Sequence, residues 1–409
     1  MRICMIGCGR IAKSHIAGAA QIANKVQIVA AVGRDLEKTQ AFCKEYGIEN
    51  AFSTLEDAIA AVDFDAVDIC LPNHLHAKFA VKAAEAGKHI LLEKPMANTV
   101  AECKIMNEAA KKNNVTLMIG QSRRFFEPVM ASIDRINKGE IGELVSVSAN
   151  LYAYLEKAPT EWWNRVETAG GLMIPIWGSH IIDYCLWAFG ETPKRVYCES
   201  YSVNPTWEGE DEVIMTLGFS GDRFAAIRMS WNTKMKDESW NGEGKMLSSA
   251  DAIYERYIQG TKKTMYLSDE TKLSLNGRLV CEDDGSLSNF ARQYLEFVDA
   301  VENGRAFQAI ARFFSLPALE YLCKEVCQNI GIFGQKCFDL SREIIDHLQM
   351  NDDHFVDACI SMIIKSCRNV AHRMCVHCVF LCFGSQDGIR FESKGKRVKI
   401  SLMVECVEI

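Results

Sequence analysis

The first twelve residues constrain this chain more than any other stretch. Ile3 to Ile6 is a short apolar run that reads as a buried strand, and Gly7-Cys8-Gly9-Arg10-Ile11-Ala12 follows at once. This is G-x-G-x-x-G/A at a point where a strand turns into a helix. Gly7 permits the tight turn, Gly9 lets the backbone approach a pyrophosphate, and Ala12 lets the helix pack closely on the strand. The helix opening at Arg10 and Ile11 offers unpaired N–H groups and partial positive charge to phosphate. A glycine pattern alone also marks structural turns. Its place after a strand and before helix-like sequence selects a dinucleotide site, with Gly7, Gly9, Arg10 and Ile11 as contacts.

Residues 1–120 continue as alternating strands and helices. Val26–Val32, Ala66–Leu71, His89–Leu92 and Thr116–Ile119 are apolar strand candidates, separated by helical stretches 36–46, 54–61, 76–87 and 100–113. Near-continuous apolar strands with helices between them predict a doubly wound parallel sheet covered on both faces.

Beyond residue 120 the pattern changes. After a helix near 128–138, the runs 144–154, 195–203, 212–219, 223–231, 265–267 and 273–281 read as antiparallel strands, with Gly221-Asp222 as a hairpin turn. A helix at 178–189 interrupts them, and another spans 289–302. The fold class is therefore α/β plus α+β. Its expected divisions are 1–120, then 121–305 with one large, open, mainly antiparallel sheet, then an atypical extension, 306–409. The open sheet needs cover, which predicts a homodimer or homotetramer built through it.

Composition excludes some partners. A net charge of −7 over 409 residues offers no footprint for nucleic acid or an anionic membrane. No run of 18 apolar residues and no basic leader is evident, so a cytoplasmic protein is expected. Cys4, Cys8, Cys70 and Cys185 sit inside apolar elements, where free thiols act as small hydrophobes, and disulfides are not expected.

Four further motifs narrow the chemistry. Leu71-Pro72-Asn73-His74-Leu75-His76 and Glu93-Lys94-Pro95 each follow a strand, where ligands collect in doubly wound sheets. Gly170-Gly171-Leu172 and Gly178-Ser179-His180-Ile-Ile-Asp183 lie in the second half. In this order, over residues 1–305, the motifs resemble the Gfo/Idh/MocA oxidoreductase family, relatives of glucose–fructose oxidoreductase and inositol dehydrogenase. The resemblance implies an N-terminal Rossmann domain and hydride transfer between a nicotinamide cofactor and a sugar, cyclic polyol or sugar derivative.

It also implies that Lys94 assists proton transfer or hydrogen-bonds substrate and nicotinamide ribose, that the bond before Pro95 is cis, and that His180 relays the proton. Pro72, Asn73, His76, Glu93 and Arg124 are candidate cofactor contacts. Trp163 and Asp183 are candidate substrate contacts. His76 can equally cap a helix, Arg124 can equally form an interdomain ion pair, and Trp163 can equally be core. Where inositol dehydrogenase has an aspartate four residues before the histidine, this chain has Ile176.

The second strand ends Val32-Gly33-Arg34-Asp35. NAD sites usually carry an acid there for the ribose 2′-OH. Gly33 with Arg34, which suits a 2′-phosphate, favours NADP over NAD, and Asp35 is read as the cap of the next helix.

From about residue 331 the chain becomes cysteine-rich, with His372, Cys375, His377 and Cys378 close together. Their spacing matches no paired zinc arrangement, and no metal is expected. A helical extension and an out-of-frame terminus both fit, and the segment is expected to be dispensable for cofactor binding. Two other functions stay open: a nucleotide-binding regulator of the same fold, and an enzyme that uses tightly held nicotinamide for transient oxidation.

Overall fold

The computed structural model describes residues 1–233, 252–304 and 404–405. The chain begins as β1 (Arg2–Ile6), α1 (Arg10–Gln21), β2 (Gln27–Val32), α2 (Leu36–Tyr46), β3 (Asn50–Phe52), α3 (Leu55–Ala61), β4 (Ala66–Ile69), α4 (His76–Glu85), β5 (His89–Glu93), α5 (Val100–Lys112) and β6 (Leu117–Gly120). The six strands pair in the order β3-β2-β1-β4-β5-β6, and every pairing is parallel. The order reverses between β1 and β4, and the crevice beyond those two strand ends is where such sheets bind ligands.

Local chemistry sets the helix starts. Asp35 caps α2 by accepting from the Lys38 N–H, Thr54 caps α3, and Thr99 with Glu102 forms a capping box on α5. Ile3, Cys4 and Met5 are fully buried, as a strand covered on both faces requires.

The second part comprises α6 (Glu127–Asn137), β7 (Leu144–Ala153), α7 (Val166–Ala169), α8 (Ser179–Phe189), β8 (Arg195–Tyr201), β9 (Glu212–Gly218), β10 (Phe224–Ser230), β11 (Ala252–Gly260), β12 (Thr264–Ser268), β13 (Lys272–Leu275), β14 (Arg278–Glu282), α9 (Asn289–Glu302) and β15 (Val404–Glu405). The sheet runs β14-β13-β12-β11-β7-β10-β9-β8-β15, antiparallel throughout except for the parallel pair β7/β10. One face buries Val147, Ala149, Leu151, Met215, Leu217, Ile227 and Met229 against α8. The other face leaves Ile214 and Tyr257 nearly half exposed.

Several expectations need correction. The run 273–281 is two strands, because Asn276 and Gly277 both take positive φ and turn the chain. β3 and β11 were not expected. α9 belongs by packing to the first sheet: Ala291, Tyr294, Phe297 and Val298 share a core with Ile3, Ala19, Ala66 and Leu91. Gly18 permits this contact, since a Cβ there would meet Phe290 Cβ at 2.7 Å. The stretch Val166–Phe189 is apolar and long enough to cross a membrane by composition, but it is mostly buried in the core and is broken between α7 and α8 by Gly170 and Gly171 at positive φ. All eight described cysteines are free. The expected extension, with its Cys/His cluster, lies outside the described residues except for β15, which pairs with β8.

Candidate active site

A cavity of about 730 Å³ opens beyond the ends of β1, β4 and β5 and is closed from the second part of the chain by residues 155–180. Its phosphate end is built by β1 and α1. Gly7 has φ +102°, and a Cβ there would meet the Cys70 carbonyl oxygen at 2.5 Å, so the fold itself requires glycine. Gly9 differs: a Cβ built on it meets nothing within 4 Å. No side chain caps α1, and its first turn carries no acid. The helix therefore keeps its orphan N–H groups beside an open cradle. Arg10, whose guanidinium lies 5.7 Å over Trp163, leaves a buried Nε without a partner among the described residues. This is the donor set and the space a dinucleotide pyrophosphate requires.

Gly33, Arg34, Asp35, Lys38 and Thr39 line the end beyond β2, and Pro72, Asn73 and Glu93 line the cavity beyond β4 and β5. Asn73 Nδ2 donates to the Ala169 carbonyl at 2.7 Å, tying that loop to α7.

The reactive end is built around Lys94 and His180. The Lys94–Pro95 bond is cis. Lys94 Nζ donates to the Ile176 carbonyl at 2.6 Å, inside the π-helical turn Ile174–Gly178 that runs into α8. Ile176 thus contributes its backbone where inositol dehydrogenase has a carboxylate. His180 Nδ1 lies 2.8 Å from Gln121 Oε1. A carbonyl oxygen only accepts, so Nδ1 carries the hydrogen and Nε2 is the basic nitrogen. Burial, then the nearby Lys94, Arg123 and Arg256 cations, holds His180 well below the usual histidine range. The imidazole is therefore neutral around pH 7. Trp162, Trp163 and Trp177 add aromatic wall, with Trp163 stacked on Trp231 at 5.8 Å.

Three expected contacts do not line this cavity. Arg124 and Asp183 form a bidentate ion pair with both distances 2.7 Å, so neither faces ligand. His76 is fully buried, with its ring nitrogens 2.9 and 2.8 Å from the Pro95 and Leu71 carbonyl oxygens. It ties the two loops together instead of touching cofactor. Arg123 lines the cavity instead of its neighbour Arg124, 4.6 Å over Trp177 and paired with Glu270. Gln121, Lys38, Phe290 and Asn289 were also missed, since none belongs to a motif with a chemical signature.

Comparison with known proteins agrees with this architecture. Residues 1–121 match the oxidoreductase family with NAD-binding Rossmann fold, and residues 131–245 match the GFO/IDH/MocA C-terminal domain. The chain belongs to the Gfo/Idh/MocA oxidoreductase family. It is 28% identical to the 1,5-anhydro-D-fructose reductase of Ensifer adhaerens over 59% of this chain and 72% of that protein. Identity is 35% with the levoglucosan dehydrogenase of Pseudarthrobacter phenanthrenivorans, over 36% of this chain and 39% of that one. A levoglucosan dehydrogenase solved with NADH and levoglucosan superposes with a TM-score of 0.68 at 21% identity, covering 78% of this chain and 95% of that one.

The contrast between the two glycines is testable. Gly9→Ala should leave thermal stability within about 0.5 kcal/mol, because the folded protein has room for the methyl group. It should weaken NAD(P)H binding at least tenfold, read by fluorescence titration. Unchanged binding would show that the pyrophosphate does not approach Gly9.

Proposed function

We propose that the chain oxidises a hydroxyl group of a sugar, cyclic polyol or sugar derivative, using NADP in preference to NAD. The observation that carries the reaction is the meeting of Lys94 and a neutral, buried His180 in the cavity that holds the dinucleotide cradle. The nicotinamide, when bound, supplies the hydride acceptor. His180 Nε2, left basic by the Nδ1 hydrogen bond to Gln121, takes the hydroxyl proton. Lys94 holds the substrate oxygen and stabilises its developing negative charge; the Ile176 carbonyl fixes its direction. The tryptophans provide apolar faces for a sugar ring and exclude water. The sugar dehydrogenases and reductases among the relatives support the substrate class.

The reading of NADP rests on the cavity end beyond β2. Arg34 and Lys38 both line it, and Asp35 is engaged as the cap of α2 and lies 3.4 Å from Lys38. Two cations with an occupied carboxylate suit a 2′-phosphate better than a bare ribose. We also infer that a second copy covers the open face of the large sheet. Exposed Ile214 and Tyr257 there are apolar or aromatic, and the Tyr257 ring lies tilted against Tyr266 with centroids 4.8 Å apart.

Lys94→Ala should lower kcat on the true substrate by about 10²–10⁴-fold, with cofactor Kd within several-fold of wild type. A screen of sugars and polyols read at the reduced-cofactor absorbance identifies that substrate, and equal loss of cofactor binding and turnover would reduce Lys94 to an anchor. Arg34→Ala should weaken NADP(H) by about tenfold or more while NAD(H) changes little. Tight NAD(H) binding by the wild type, indifferent to this change, would overturn the preference. For assembly, Ile214→Glu should convert the full chain from dimer or tetramer to a smaller species in sedimentation, with turnover retained per subunit. A wild type that sediments as a monomer would remove the proposal.

A further inference from the structure

His15 lies one layer behind the cavity, on α1, and is fully buried. Its Nδ1 is 2.8 Å from Asp68 Oδ2 on β4, and its Nε2 is 2.9 Å from Glu93 Oε1 at the end of β5. Carboxylate oxygens face both ring nitrogens. A neutral imidazole has one N–H and would turn a lone pair towards one of them, so the geometry calls for the doubly protonated ring. Tyr294 on α9 donates its hydroxyl to the same Asp68 oxygen, and Phe290 lies over His15 with centroids 4.9 Å apart. One cation is thus shared between two carboxylates in a site closed to water.

Of the charged members of this group, Glu93 alone reaches both the interior and the dinucleotide cavity, beside Lys94. Gly120 leaves room for it, since a Cβ there would lie 3.2 Å from Glu93 Oε1. With phosphates at α1 and the adenosine end beyond β2, the nicotinamide of a dinucleotide reaches the strand ends on the other side of the switch point, where Glu93 stands. The oxidised nicotinamide ring carries a positive charge and the reduced ring carries none.

We infer that His15 is a positioning residue that fixes the Glu93 carboxylate at the nicotinamide end, so that the site holds oxidised dinucleotide more tightly, relative to reduced, than an uncharged wall would. This rests on the cavity being the dinucleotide site. A fixed negative charge in a low-dielectric wall acts on the cationic ring and leaves the neutral ring almost untouched, whereas a loss of packing weakens both forms alike. Asp68 and Tyr294 complete the device by holding the far side of the imidazole.

The test is the ratio of Kd for oxidised to reduced dinucleotide, measured on the full chain by calorimetry and fluorescence with both NAD(H) and NADP(H). His15→Gln leaves the Glu93 carboxylate without the partner that orients it and should raise that ratio about tenfold by weakening the oxidised form; a lower ratio would mean that the imidazolium only screens Glu93, and would overturn the inference. Glu93→Gln should raise the ratio by a similar factor, and the double variant should exceed either single change by less than about twofold, because the two act through one charge. A ratio within twofold of wild type in either single variant, even with poorer affinities, overturns the inference. Should His15→Gln fail to fold, Glu93→Gln decides alone, since an unmoved ratio there leaves His15 nothing to position. A wild type that binds neither dinucleotide overturns the dinucleotide reading as well, which keeps the two failures distinct.

Discussion

The two halves of this protein share one cavity because α8 is fastened to the segment that leaves β6. Arg124, on the turn after β6, donates from Nε and Nη2 to the two carboxylate oxygens of Asp183, and both side chains are largely buried. Breaking one side of such a pair strands a charge, at a cost of about 3–5 kcal/mol. The same segment supplies Gln121 to His180, and the loop after β5 supplies Lys94 to the carbonyl of Ile176. Three contacts thus align α8 with the strand ends of the first sheet. The chemistry is housed at that seam, and residues that face no ligand set its geometry.

Two of the buried histidines near the cavity, His180 and His15, show how environment alone assigns charge. His180 has an amide oxygen on one nitrogen and three cations nearby, and burial with those cations depresses its pKa. For His15 burial is the largest influence and opposes protonation, but the Asp68 carboxylate, Cys70 and the hydrogen bonds to both together outweigh it and raise the pKa well above the ordinary value. The consequences for stability have opposite sign. In the unfolded chain both titrate near the usual value of about 6.5. For His180 the unfolded state binds more protons below that value, so its contribution to stability falls as pH drops through that range. For His15 the folded state binds more protons above it, so its contribution is full below about 6.5 and is lost as pH rises through its raised folded value. A protein carrying both is held between an acid limit set by the proton acceptor and an alkaline limit set by the buried cation.

Much of this was legible in the sequence because the governing patterns are local. Apolar runs separated by capped helices announce the parallel sheet, and a G-x-G-x-x-A turn can sit in few places. What escaped was non-local or broke the local period. β11 carries Glu255 and Arg256 at its centre, and Arg256 is 1% exposed, so its buried face does not read as apolar. β3 is three residues long and half buried. The Asn276-Gly277 turn is a hairpin dipeptide hidden inside an otherwise strand-like run. α9 falls by sequence order in the expected division 121–305, while its Tyr294 reaches Asp68 on β4. Arg123 and Arg124 are adjacent and chemically alike. Only the short helical turn that carries them decides which one faces the cavity and which one faces Asp183.

Arg256 shows why the second sheet matters to the reaction beyond providing a wall. Its guanidinium lies 4.5 Å over Tyr184 and 4.2 Å over Tyr254, and Glu270, itself 1% exposed, accepts from both Arg256 and the cavity-lining Arg123. One carboxylate for two arginines leaves a net positive charge behind the reactive end. That field reaches His180 and acts with burial to keep the imidazole neutral, ready to accept a proton from a hydroxyl. It also favours negative charge on the substrate oxygen as the proton leaves. Behind Glu93 the balance is reversed, with two carboxylates around one imidazolium. With nicotinamide and substrate bound as proposed, the cavity is negative beside the ring and positive beside the substrate oxygen, a polarity that stabilises the oxidised ring and the alkoxide together, the pair from which hydride transfer starts.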